Sequence, residues 1–339
     1  MRLWMGLALA LAMVGLAASP AGALDWVVTP VTDYAQTQLD PVVSGQVIAY
    51  VGWDDSDFEV YCRDLSTGAT IQVTDNDEVD WGVQVWDSDL VWKGRRGDDY
   101  EIFHHSIATG VTTQITDNDV DDADPQIWGS NIVWRGADGS DHDIFHYDIA
   151  TGVTTQITDD TDADEQLKLA GSSVVWQGDD GHDSEIFHYD ITTGVTTQIT
   201  DNDVDDRFPS VSGPTVVWGE WRGTADADLY CRDMSSGVTT LITDGEVGGV
   251  RAEICGSHVV WDGYVVVDPD ANAVNDIYHH DLSTGVTTQL TDNLMDEYPP
   301  YISGTSVVWA GADAPGGFSQ FEIFHYDVLT GELTQITDD

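Results

Sequence analysis

Apolar and polar positions alternate along this chain in short runs, and the runs come in sets of four. In the clearest set, Pro125–Trp128, Asn131–Trp134, Asp143–Ile149 and Val153–Thr158 each read as a strand rich in Val, Ile, Thr, Trp, Phe and Tyr. Gly129-Ser130 and Thr151-Gly152 mark tight turns, and the polar stretch Arg135–His142 marks a longer loop between the second and third runs. No stretch of useful length carries helical periodicity.

The set repeats. The phrase Asp148-Ile149-Ala150-Thr151-Gly152-Val153-Thr154-Thr155-Gln156-Ile157-Thr158-Asp159 recurs with small changes, its glycine falling at Gly68, Gly110, Gly152, Gly194, Gly237, Gly285 and Gly331. A second anchor, an aromatic closing a Val-Val-Trp type run, falls at Tyr50, Trp92, Trp134, Trp176, Trp218, Trp261 and Trp309. From each repeat glycine to the next such aromatic the count is 24, so all length variation lies between aromatic and glycine. Spacings of 42 to 48 residues suit propeller blades. The expected fold is all-β, a seven-bladed β-propeller of four-stranded antiparallel blades. A linear solenoid is the alternative, disfavoured because no polar capping unit is visible. The blades are placed at 41–75, 83–117, 125–159, 167–201, 209–244, 252–292 and 300–338, in a single domain over 24–339. The strand-like segment 27–33 is expected to close or edge the last blade, and Pro30 suits an edge because proline cannot donate to a ladder.

The run from Pro300-Tyr301-Ile302-Ser303-Gly304 through Val307-Val308-Trp309 to Glu322-Ile323-Phe324-His325-Tyr326-Asp327 and Gln335-Ile336-Thr337-Asp338, with its sister copies, resembles the TolB-type, WD-like propeller repeats of periplasmic and surface proteins. It resembles prolyl-oligopeptidase propellers more distantly. The resemblance covers Val27–Asp339 and implies the propeller fold; function does not follow from it, because the fold serves many tasks. The chain leaves no room for the TolB N-terminal domain before the first blade and contains no Gly-x-Ser-x-Gly of a hydrolase domain, so neither a Tol-system role nor peptidase activity is implied.

Met1–Ala23 reads as a signal peptide: Arg2, the apolar run Leu3–Ala18, then the small-residue site Ala21-Gly22-Ala23. The expected location is the periplasm or the outside, without membrane insertion, and as a monomer. Cys62, Cys231 and Cys255 allow at most one disulfide; Cys231 and Cys255 lie in adjacent blades, but free buried thiols are the expectation.

Charge adds a polarity. The 339 residues carry 61 acidic against 11 basic side chains, a formal net charge of −50. Nucleic acid and anionic lipid are excluded as partners, since both need Lys/Arg clusters. Both turns of a blade are short and nearly neutral; the longer mid-blade loop (second to third strand) and the inter-blade loop (fourth strand to the next first strand) hold 50 of the 61 carboxylates, all toward one expected face. Dense oxygen ligands in loops suit calcium, with Asp117, Asp119, Asp121, Asp122, Asp201, Asp203 and Asp205 as candidate ligands. The competing reading is a solvated, salt-adapted surface, since Asp and Asn are also turn formers.

Repeated residues argue for structural work. A carboxylate opens every third strand (Glu59, Glu101, Asp143, Glu185, Asp228, Asp276 and Glu322), which suits pinning the loop to a neighbouring blade. His104, His146, His188, His279 and His325 share one slot in different blades and so cannot converge on one ion. Specific binding should break the symmetry. The long mid-blade loops 262–275 and 310–321 do so, with Asp268, Asp270, Asn272, Asn275 and Asp276 resembling half of a calcium loop and Phe318 in the other. Trp53 and Trp221 add aromatic faces that suit a sugar ring or a cationic peptide. The expectation is a non-catalytic exported scaffold binding a protein, peptide or glycan on its acidic face, with Ca²⁺ as a candidate stabilising ion. The alternatives are a channel enzyme of lyase or glycosidase type, or a surface-layer or matrix component. Lys168 and Glu253 are the charged residues of the first strands, two blades apart.

Overall fold

The computed structural model describes residues 38–137, 141–222, 227–243, 251–265, 274–293, 295, 297–312 and 321–337. Residues 1–23, the segment 27–33, and the candidate residues Asp268, Asp270, Asn272 and Phe318 lie outside them. The chain divides into two compact units, up to Thr161 and from Asp162 onward. Three four-stranded antiparallel sheets form the first and four form the second, each with its strands in chain order. The fold class is all-β, with seven four-stranded blades of the propeller type.

Burial follows strand position. The second strand is the apolar run, and Leu90-Val91-Trp92, Ile132-Val133-Trp134 and Val174-Val175-Trp176 are almost wholly buried, as a strand covered on both faces requires. Each tryptophan stacks on an aromatic of the third strand, Trp134 on Phe145 at 5.7 Å and Trp176 on Phe187 at 5.7 Å. Within each unit the first strands of successive blades lie against one another. The fourth strands, of the Val-Thr-Thr-Gln type, are short and exposed.

Two strands differ from their expected bounds. The fourth strand of the third blade ends at Gln156. Thr158 then turns inward, its Oγ1 accepting from Ile144 N at 2.9 Å, and Thr74, Thr116, Thr200, Thr243, Thr291 and Thr337 make the same bond in their blades. The first strand begins at Asp122 rather than Pro125. Its register shifts at a bulge containing Asp124, whose φ is 52°. Asp40, Gly82, Gln166 and Phe208 repeat that left-handed residue in the other blades up to the fifth. A bulge re-aims the side chains upstream of it, and here it turns an acidic residue into the blade.

Candidate functional site

The junctions between blades give a structural task to a subset of the acid. At one junction Glu101 Oε1 accepts from Asn118 N at 2.8 Å, Asn118 Nδ2 donates to Asp122 Oδ2 at 2.8 Å, and Trp134 Nε1 donates to Asp122 Oδ1 at 3.0 Å. Glu59, Asn76, Asp80 and Trp92 repeat it at 2.7, 2.9 and 3.0 Å. Glu185, Asn202 and Asp206 repeat its first two bonds, and Asn293, Glu297 and Trp309 its last two. The third-strand carboxylate thus pins the following loop, and the asparagine bridges it to a second buried carboxylate in the next first strand. The close approach needs a glycine: a Cβ on Gly136 would sit 2.5 Å from Asp122 Oδ1 and 3.0 Å from Phe145 Cε2.

These carboxylates are buried in pairs. Glu59, Glu101, Glu185, Asp80, Asp122 and Asp206 all lie inside the blades, which corrects the expectation that the loop carboxylates, Asp122 among them, line a solvated face. Burial disfavours the charged form. It pushes Glu59 up to about 7 against its hydrogen bonds from Asn76 and Thr74, and pushes Asp206 up to about 7 with help from the Glu185 charge. Glu101 and Asp122 are raised by the same desolvation. Glu101 Oε2, Glu185 Oε2 and Asp206 Oδ1 are buried without a hydrogen-bonding partner.

The candidate ligands named from the sequence are dispersed. Asp117, Asp119, Asp201 and Asp203 are exposed. Asp121 Oδ1 accepts from Tyr100 N at 3.0 Å, and Asp205 is held by Ser184 N at 3.1 Å and Arg207 Nη2 at 2.6 Å. Asn275 Nδ2 donates to Asp262 Oδ2 at 3.2 Å, and buried Asp276 accepts from Gln289 and Thr291, each at 2.9 Å. Trp53 meets Phe58 edge-on at 5.1 Å, and Phe58 lies 4.7 Å from Trp81, an aromatic cover over the end of the blade. Trp221 is half-buried with the Arg207 guanidinium 6.0 Å from its ring.

Instead, acidic groups close together in mid-blade loops. Asp54, Asp57 and Glu59 each offer a carboxylate oxygen within 4.8 Å of the others, and so do Asp180, Asp183 and Glu185. The sequence signal, Asp-x-x-Asp-x-Glu, is present in both, but counting acids per loop hides it.

The remaining candidates are structural. His104 pairs with Asp89 at 2.8 Å, His146 with Asn131 at 2.9 Å and His188 with Ser173 at 3.1 Å, each across to the second strand of its own blade. All three cysteines are free, and burial raises the Cys62 thiol to about 11. Lys168 and Glu253, though two blades apart in sequence, meet: Lys168 Nζ lies 2.9 Å from Glu253 Oε1, and Ser210 Oγ of the blade between donates to Glu253 Oε2 at 3.0 Å. The long lysine side chain spans the intervening first strand.

No family model and no curated protein matches this chain. The likeness is one of fold. A prolyl endopeptidase superposes with a TM-score of 0.68 at 11% identity, covering 89% of this chain and 50% of the peptidase. The β-propeller domain of the trilobed protease from Pyrococcus furiosus gives 0.60 at 14% identity over 89% of this chain and 98% of that domain. Similarity extends to TolB from Acinetobacter baumannii, at 20% identity and a TM-score of 0.43 over 65% of this chain and 57% of TolB. The chain thus spans about half the length of the peptidase it matches.

Proposed function

We propose that this chain is an exported, non-catalytic propeller that binds a cationic protein segment through the exposed carboxylates of its inter-blade loops. The observation that supports the reading is the closed Lys168–Glu253–Ser210 network. A channel enzyme needs an acid or base able to reach its substrate; Lys168 and Glu253 are bonded to one another, and Asp80, Asp122 and Asp206 of the first strands are buried in the junctions. The carboxylates left for a partner are those the junctions do not bury, among them Asp117, Asp119, Asp201 and Asp203. Their like charge attracts Lys/Arg-rich segments at long range and is screened by salt.

The test is fluorescence polarisation with a labelled lysine-rich peptide, set beside turnover assays on a polysaccharide panel. Binding that weakens steeply with salt, without turnover, is expected. Turnover abolished by Lys168→Met or Glu253→Gln would replace this reading with the lyase or glycosidase one.

A further inference from the structure

We infer that the mid-blade loops of the first and fourth blades are two equivalent calcium sites, built from Asp54, Asp57 and Glu59 and from Asp180, Asp183 and Glu185. The triads stand at identical repeat positions, and a short turn closes each one, with Asp54 N donating to Asp57 O at 3.1 Å and Asp180 N to Asp183 O at 3.2 Å. Clustered acid alone makes no site, since it is common on an acidic surface. Both triads also hold buried carboxylate oxygen with nothing to bind it, as Asp141 Oδ2 does at the same repeat position in the third blade.

Asp57 is only 5% exposed, and its Oδ2 is buried without a partner. Both carboxylate oxygens of Asp183 are likewise unpartnered. The spare oxygens of Glu59 and Glu185 argue less, because Glu101 has one too where no triad exists, facing the next blade's aspartate. Asp57 and Asp183 have no such partner carboxylate bonded to them, so their oxygens point to a separate occupant. Three like charges within 4.8 Å repel unless a cation or protons neutralise them.

The fifth blade carries a built-in neutraliser at the corresponding place. Arg222 Nη1 lies 2.8 Å from Asp228 Oδ2, the carboxylate that opens the third strand there, and Nη2 lies 2.7 Å from Glu220. In the second blade Arg96 stands two residues after the junction glycine, where the first and fourth blades have Asp54 and Asp180. Over the first five blades that position reads Asp54, Arg96, Asp138, Asp180 and Arg222, a cation in two and an acid in three. An all-oxygen donor set of three carboxylates, with no His or Cys among them, selects calcium over zinc, and magnesium dehydrates too reluctantly to take three carboxylates here.

The experiment uses the full chain after chelator treatment, titrated with Ca²⁺ by calorimetry and followed by thermal melts. Asp57→Asn and Asp183→Asn should each remove one bound equivalent, and the double variant should lose most of the calcium-induced rise in melting temperature. In chelator the variants should melt no lower than the parent, because the substitution removes repulsion. Excess Mg²⁺ should leave the Ca²⁺ isotherm in place. Unchanged stoichiometry in the double variant overturns the assignment, as does stabilisation of the parent by molar NaCl alone. Equal destabilisation of the variants with and without Ca²⁺ does the same, by marking the carboxylates as ordinary structural acceptors.

Discussion

The two ends of a blade hold aspartates of opposite character. At the tight turn between third and fourth strands, Asp281 Oδ1 accepts from Ser283 N at 2.9 Å and Ser283 Oγ at 2.7 Å, and these donors hold its carboxyl down to about 2. Asp64 and Asp233 are lowered by the same kind of turn. At the loop end, Asp122 and Asp206 also accept hydrogen bonds, yet desolvation outweighs those bonds and both are raised. Donor count is similar at the two ends; access to water decides the sign.

The largest effect that can break this contrast is steric. Gly136→Ala drives a Cβ into Asp122 Oδ1 and the Phe145 ring, and is expected to cost about 3 kcal/mol through overpacking and a disrupted buried bond. A urea midpoint within error of the parent's would mean the junction yields freely. A pH series comes next in size. Glu101 and Asp122 bind protons more tightly folded than unfolded, so their contribution is fully present below the ordinary carboxylate values of 4.5 and 3.8. It is lost as pH rises through their raised folded values. Glu101→Gln should flatten that fall in stability above the ordinary carboxylate range; a slope identical to the parent's in chelator would show that the pair does not bind protons more tightly when folded. The smallest effect is at the turn end. Asp281 contributes stability above 3.8 that disappears as pH falls through about 2, and Asp281→Ala is expected to cost about 0.5 kcal/mol, the range of surface substitutions. A cost rivalling that of Gly136→Ala would erase the distinction between the ends.

How much of this was legible depended on range. The blades follow from period and alternation, because a strand buried on both faces must be apolar, as Ile132-Val133-Trp134 is, and a tight turn must take glycine, as at Gly152 with φ 70°. The junction was half legible: a carboxylate at Glu101 and its copies announces a structural task, but its partner Asp122 looked like one loop acid among several. Only the bulge at Asp124 sends Asp122 inward, and an aspartate in a left-handed conformation leaves no mark in the sequence that separates it from a turn. The meeting of Lys168 with Glu253 was hidden for a geometric reason: two blades of separation along the chain says nothing about the span of a lysine across one first strand. The triads at Asp54 and Asp180 were spelled out in the spacing and lost in the abundance of neighbouring acid.

The constant 24 residues from repeat glycine to next tryptophan take on a meaning from the junction. From Gly110 to Trp134 that stretch contains the fourth strand of one blade, the Asn118 bridge, Asp122 and the tryptophan that binds it in the following blade. The length is held fixed over the seam, and the slack lies inside the blade. The stretch of constant length is therefore offset from the blade, and it carries the coupling to the next blade with it. A chain opened at a mid-blade loop keeps every such coupling whole, whereas one opened between blades severs it.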